Sequence, residues 1–487
     1  MPDIKIDSNL TGLRYCEEAT LKTLPGSPVW HVMEPNSYSD FGSDTKTVAR
    51  NPIKADRQRQ KGVVTDQDAS AGFEVDLTLD NMYDQLQGFF FADWRKKDTD
   101  VPTAVTAPSY TVTAPAGSDW RAGDLVFGKG FTLIANNGTK LVTASTASTV
   151  VAAGLAVEGA PPAGATIHRV GYQFAAGDAA IATINGLPTL TTTTKNLTEL
   201  GIIPGEWVFV GGDGATEQFA TAACNGFARV RSVSANAMAF DKTAGAMVPD
   251  TGAAKTIRLY VGDLLKNESD PAKIKRRSYQ LERSLGSAGY EYLLGAVPND
   301  LTLNLKQADK ITISLTYVAA TSEEQLTAKA GGRPDLEVSA IGFNTTNDFS
   351  RLRLDKTDNT GLASYLMDAT VSIKNGVTPV KALGVLGSID TSTGDFNVSG
   401  SVNAYFNDIA AVAAVRNNAD ISLDFALVTR NTGMLMDIPL ITLGGGRLNV
   451  TKDKPIELPL TTEAAAHSIY NHTMSVTYFA YLPTLAG

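Results

Sequence analysis

The chain has 487 residues, a formal net charge of −9 at pH 7, and 43% hydrophobic and 19% charged side chains. That length allows two to four domains with real cores, and the apolar share excludes wholesale disorder. Four histidines and two cysteines, Cys16 and Cys224, leave little for metal-based or His-based chemistry or for a disulfide framework, and the acidic balance speaks against a surface that binds nucleic acid along its length.

Taken in chain order, residues Met1 to Asp7 hold no apolar h-region, so no secretory signal is expected. No run approaches the roughly 20 apolar residues that span a bilayer. Trp30 and His31 fall in a predicted strand, and the histidine is read as structural. A polar segment over 36–62 is too long for an ordinary hairpin loop, which suggests that it reaches onto a neighbour. Gly72 to Leu79 alternates apolar and polar residues as a half-buried strand does. The stretch Asn81 to Arg95 is predicted to be a helix, with Met82, Leu86, Phe89, Phe90 and Trp94 as a core-facing stripe.

Residues 103–265 then change character. They carry 11 acidic and 10 basic side chains, so most of the net charge lies elsewhere. Short β-branched runs broken by Gly-Gly, Asn-Gly and Pro-Pro predict small all-β domains. Within them Ala122 to Phe127 resembles Pro204 to Phe209, each followed by an Asn-Gly turn (Asn137-Gly138, Asn225-Gly226), which suggests a doubling at 103–174 and 175–265. Alternating strands resume at Leu301–Leu305, Ile311–Tyr317 and Asp420–Leu427. A second long polar segment covers 344–361, and a second helix is expected near Tyr405 to Arg416.

Repeats organise the rest. Gly72 to Leu79 with its helix matches Asp395 to Val402 with its own at an offset of 323, and Ser314–Ala319 matches Ser475–Ala480 at 161. The difference is close to the length of the odd segment. A module is therefore expected twice, the first copy split as 1–102 plus 266–325 and the second at 326–487. The fold class expected is mainly β: two tandem β-sandwich or barrel modules, each with a flanking helix, plus an inserted region of one or two small all-β domains.

Chemical motifs are near misses. Gly123 to Gly130 lacks the Ser/Thr and the helix of a phosphate-binding loop. Asp66-x-Asp68-x-Ser70 starts like a calcium loop, but Ala71 and Leu77 stand where Gly and Glu are required. No nucleophile pattern accompanies a histidine. No cofactor, metal site or catalytic residue is expected, and the chain is read as a non-enzyme. The basic cluster Arg50, Lys54, Arg57, Arg59 and Lys61 lacks aromatic company for nucleic acid and is assigned to inter-subunit ion pairing.

The order of features resembles the tail tube proteins of long-tailed bacteriophages: a polar arm with Arg50-Asn-Pro and Arg57-Gln-Arg59, the Gly72–Leu79 strand, an apolar helix, then Tyr279-Gln-Leu-Glu282-Arg283 and Gly295 to Leu303. The likeness covers roughly 320 of 487 residues. It implies a structural subunit that closes into stacked rings, here three chains with pseudo-sixfold symmetry, around a negatively charged lumen that conducts double-stranded DNA without binding it. It also implies the tape measure, tail terminator and distal tail proteins as partners, assembly in the bacterial cytoplasm, and a place in the virion. Another β-rich virion component, such as a tail-tip, fibre or decoration protein, is the alternative. The insertion is expected on the outer surface, clear of the lumen.

Overall fold

The computed structural model describes residues 5–56, 58–78, 81–114, 119–335, 342–356, 362 and 365–487. The first stretch supplies β1 (Thr11–Glu17), β2 (His31–Met33), β3 (Pro35–Ala49), β4 (Gly62–Asp76) and α1 (Tyr83–Phe90). The next is all strand: β5 (Thr99–Asp100), β6 (Ala104–Thr106), β7 (Ser109–Thr111), β8 (Asp124–Lys129), β9 (Gly138–Ser145), β10 (Thr149–Ala152), β11 (Thr166–Gln173), β12 (Ala180–Ile184), β13 (Leu187–Thr191), β14 (Trp207–Val210), β15 (Gly226–Val233), β16 (Ala237–Thr243) and β17 (Arg258–Val261). The chain then returns through β18 (Asp263–Lys266), β19 (Tyr279–Leu285), β20 (Tyr290–Lys306), β21 (Thr312–Ala319) and β22 (Thr321–Gln325). The last stretch holds β23 (Phe349–Lys356), β24 (Leu366–Lys374), β25 (Thr378–Val380), β26 (Asp390–Ser392), β27 (Asn397–Tyr405), α2 (Ile409–Arg416), β28 (Ile421–Thr429), β29 (Thr432–Gly445), β30 (Glu457–Ala464) and β31 (Ser475–Phe479).

The main sheet contains one topology twice. In the first unit the antiparallel order is β2-β1-β19-β20-β21-β4-β3, with β22 on the first half of β20. In the second it is β23-β28-β29-β30-β27-β24, with β31 on the first half of β29. Each unit carries its helix between equivalent strands. One core cluster joins them: Leu86, Phe89 and Phe90 of α1 and Ala411 and Val412 of α2 pack against the apolar faces of β4, β20, β21, β24, β27 and β30. The fold is therefore mainly β with two tandem modules and an insertion, as the repeats suggested.

Several expectations change. The first helix is shorter than Asn81–Arg95, because Phe91 takes a left-handed conformation (φ 49°) that ends it. Trp94 then folds back, stacking on Tyr83 at 4.5 Å between ring centroids and donating its indole N–H to the Tyr83 carbonyl. The polar segment 36–62 is not a loop: most of it is β3, one leg of a long hairpin. Likewise β23 occupies 349–356 of the second segment, and 357–361 lie outside the described residues.

The repeats are real but differently registered. By pairing pattern β21 corresponds to β30, and β31 corresponds to β22. Leu303-Asn304-Leu305 matches Leu448-Asn449-Val450 and Ile313-Ser-Leu315 matches Leu458-Pro-Leu460, both shifted by 145 positions. The Asn304·Thr312 pair then falls on the observed Asn449·Glu457 bridge. Carried across the sheet, Phe73 aligns with Val402, through Leu315 and Leu460. Tyr38 aligns with Ala369, and the bulge at Pro35/Ser37 with that at Leu366/Asp368.

The inserted strands form a separate 13-stranded sheet that is itself doubled. The order β11-β8-β9-β10-β7-β6 mirrors β17-β14-β15-β16-β13-β12, and β11 pairs with β17 to join the halves. Asn137 clamps the Phe131 backbone through both amide atoms, and Asn225 clamps Phe219 in the same way. Each half has its own core. The sheet docks on the second unit: Leu125, Trp207, Phe209, Phe227 and Tyr260 bury Val428, Leu435, Phe479 and Leu482.

Candidate assembly surface

Eight strands run side by side without a break: β3-β4-β21-β20-β24-β27-β30-β29. Period-two alternation gives this sheet two faces. One face is the apolar core. The other is polar along every strand. A single row across it reads Ser37, Glu74, Ser314, Thr302, Ser372, Ser399, Glu463, Thr442. Asp40, Asp44, Glu74, Asp76, Asp300, Asp368, Glu457 and Glu463 are among the acids of this face, with Asp66, Asp68 and Lys46 farther up the β3–β4 hairpin; on β20 and β24 its basic members are Lys306 and Lys374. Both lysines sit at the joint between the units, Lys306 opposite Asp368 and Lys374 opposite Asp300. Opposite charges directly across a ladder favour that register, while Ser and Thr between them pair by hydroxyl hydrogen bonds such as Thr302–Ser372 at 2.9 Å.

Both ends of the eight-stranded run are open. β3 has β4 on one edge and no strand on the other among the described residues. Past Ile441, where β28 stops, β29 likewise keeps β30 on one side only. Unpaired edges template pairing with another chain.

The β3–β4 hairpin carries the basic cluster at its tip. Arg50, Lys54, Arg59 and Lys61 are exposed there and make no ion pair among the described residues, while Arg57 lies outside the described residues. Val48, Ile53, Val63 and Val64 beside them are also exposed. Lower on the hairpin, Asp66 and Asp68 are held by Lys46 and by Lys381, whose ammonium lies 2.5 Å from Asp66. Lys381 keeps both carboxyls below their usual range, joined by Lys46 at Asp68. The calcium-like spacing is thus a strand whose acids are already paired, and no group of three or more metal-ligating side chains forms among the described residues. Sequence reasoning missed Lys381, which lies more than 300 positions from its partners.

The seam between the inserted sheet and the second unit is ionic at its centre. Buried Arg229 reaches both Asp437 oxygens at 3.0 and 3.1 Å and both Asp241 oxygens at 3.0 Å. Arg351 pairs with Asp424 on the same wall. His472, also buried, donates from Nδ1 to the Tyr470 carbonyl at 3.1 Å. Burial first, then the nearby Lys266 ammonium, pushes its pKa down to about 3. His31 stacks on Tyr15 at 5.3 Å, a structural contact.

No helix among the described residues is long and apolar enough to cross a membrane. A family model described as phage tail tube protein matches the chain twice, over residues 8–238 and 205–464. No curated protein matches it.

Proposed function

The chain belongs to the phage tail tube protein family, and from that premise we propose that three copies close into a ring, and rings stack, around a passage for DNA. The observation that carries this reading is the unbroken eight-stranded sheet with one polar face and two open ends. Within the chain, the first unit already joins the second by pairing β20 with β24. The same joint between copies removes both remaining edges. Eight strands from each of three chains make about 24. At roughly 4.8 Å per strand and a tilt of about 40°, the circumference is on the order of 150 Å and the backbone diameter about 48 Å. Side chains still leave a bore that passes a duplex.

The polar face lines that bore. Its excess of carboxylates repels phosphates, and its hydroxyls and amides offer no cationic grip, so DNA slides rather than binds. The inserted sheet lies on strands β28, β29 and β31 of the second unit. We divide the chain as 1–102 plus 266–325, 103–174, 175–265 and 326–487, with the two middle pieces outside the wall. The free cations at the β3–β4 tip, with Arg57, pair with acidic groups of another copy. The role is structural, with no catalytic step. The tape measure, terminator and distal tail proteins bound the tube at its centre and ends, and assembly takes place in the host cytoplasm before the tube joins the virion.

Negative-stain electron microscopy of the purified chain tests the reading, together with the mass of its soluble oligomer. Long stacked rings and a mass of three chains are expected. Discrete spikes or single trimers that never stack would point instead to a tip, fibre or decoration protein, and a six-chain ring would remove the threefold arrangement.

A further inference from the structure

The structure holds the same groove twice, once filled and once empty. In the second unit it lies between β23 and β24, lined by Phe349, Leu352, Leu366 and Ala369, and the first unit inserts Leu305 at the end of β20. Leu305 is 5% exposed there, and about 160 Å³ of space remains. The equivalent groove in the first unit lies between β1 and β3. By strand pairing, Leu13 stands for Leu352, Pro35 for Leu366 and Tyr38 for Ala369. All three line a groove of about 810 Å³, walled also by Val32 and Met33 of β2, in which no side chain takes the place of Leu305 among the described residues. The residue equivalent to Leu305 is Val450, and it is 71% exposed.

We propose that residues 447–451 of one copy add to the open edge of β3 in the next, with Val450 filling this groove. This rests on the ring reading above and assigns its seam. Transferring the β20·β24 ladder gives the register: Arg447 opposite Gly42, Leu448 opposite Phe41, Asn449 opposite Asp40, Val450 opposite Tyr38 and Thr451 opposite Ser37. Apolar residues then face apolar ones, and polar face polar. Arg447, exposed in the chain, comes to lie on the polar face between Asp40 and Asp44, which flank Gly42 there. That takes the place of the Lys306–Asp368 and Asp300–Lys374 pairs that fix the joint inside the chain. A one-residue slip would turn Val450 onto the polar face. Gly445 and Gly446 hold positive φ (82° and 76°) just before the segment, so a bend that other residues resist is available where the strand must adjust to its neighbour.

Paired cysteines test the register in the assembled full-length protein. Val450→Cys with Tyr38→Cys should oxidise into chain-to-chain links, giving dimers and trimers on non-reducing gels. Val450→Cys with Phe41→Cys, on the same face but out of register, should not. Native Cys16 and Cys224 are buried, so each single variant serves as background. Rings that form yet link only through Phe41, or through neither pair, overturn the proposed seam and leave the ring intact. An unmodified chain that makes no rings removes the reading beneath it. A second measurement avoids cysteine: Arg447→Glu should leave a folded monomer that fails to close, and Asp40→Lys in the same chain should restore ring mass. Closure by Arg447→Glu alone, or no rescue, counts against the seam.

Discussion

At the scale of single residues, the least exchangeable positions lie where the inserted sheet meets the second unit. Gly205 illustrates the closeness: a β-carbon there would stand 2.7 Å from Cε1 of His472. The imidazole is therefore sealed under the insertion with a carbonyl to accept from Nδ1 and Lys266 nearby, and it stays neutral in the fold. The unfolded chain takes up a proton near pH 6.5 that the folded chain refuses until about pH 3. More protons are bound in the unfolded state across that window, so stability contributed by neutral His472 is complete above it and drains away as pH falls. Going from pH 7 to pH 5 should cost about 2 kcal/mol from this group alone. His472→Asn keeps a donor for the Tyr470 carbonyl without the titration. Thermal unfolding of both proteins at pH 7, 6 and 5 should show the variant losing less stability on acidification. Parallel pH profiles would mean that the ring is not shielded as its burial indicates.

At the scale of elements, the insertion proves to be more than an appendage. Its docking covers Val428, Leu435, Phe479 and Leu482, and its Arg229 neutralises buried Asp437. Composition alone marks the segment as separable, and deletion with a short linker looks harmless on that basis. The interface says otherwise: removing 103–261 would expose an apolar patch and strand an unpaired carboxylate, each a recognised route to large destabilisation. The plain deletion should therefore aggregate or bind a hydrophobic dye. The same deletion with Leu435→Thr, Phe479→Thr and Asp437→Asn should recover solubility and ring formation. Soluble rings from the plain deletion would show that the covering is dispensable. The duplications were legible in the sequence because alternation and the flanking helix survive in both copies, but their alignment was not. Side chains on a strand repeat every two residues, so any even shift superimposes apolar on apolar. Phe73 against Phe396 differs by six positions from its true counterpart Val402, and Ser314 against Ser475 differs by sixteen from Leu315 against Leu460 in register. Pairing across the sheet decides between such shifts, and pairing is a long-range property. For the same reason the polar arm read as a loop: β3 is exposed on both faces over much of its length, so it lacks the alternation that marks a half-buried strand. The basic tip was visible as composition, while the open edges that flank the eight-stranded run became visible only in the topology.

At the scale of the whole molecule, the question is what a wall must not do. A duplex moving through a bore carries one phosphate charge per about 1.7 Å of axis, so even a modest ring of cations would hold it, with counterion release multiplying the grip at low salt. The polar face answers with hydroxyls, amides and carboxylates that outnumber its lysines, and Lys306 and Lys374 are both placed opposite acids at the joint. Placing three lysines on that face away from the joint, Glu74→Lys, Thr312→Lys and Glu463→Lys, would add nine cations to each three-chain ring while leaving the apolar face, the β20·β24 charge pairs and the open edges untouched. Tubes of the unmodified chain should fail to retain a short duplex at 50 mM salt. The triple variant should retain it and release it as salt rises to 200 mM, a range over which six to ten phosphate contacts lose roughly 10³- to 10⁵-fold in affinity. Three lysines placed instead at exposed Thr132, Thr183 and Ser234 of the inserted sheet separate lumen from exterior, because a duplex threaded inside is protected from nuclease and one bound outside is not. Protection in the first variant and none in the second would fix the polar face as the passage. Equal retention by unmodified tubes, or protection from the exterior lysines alone, would place DNA somewhere other than along this face.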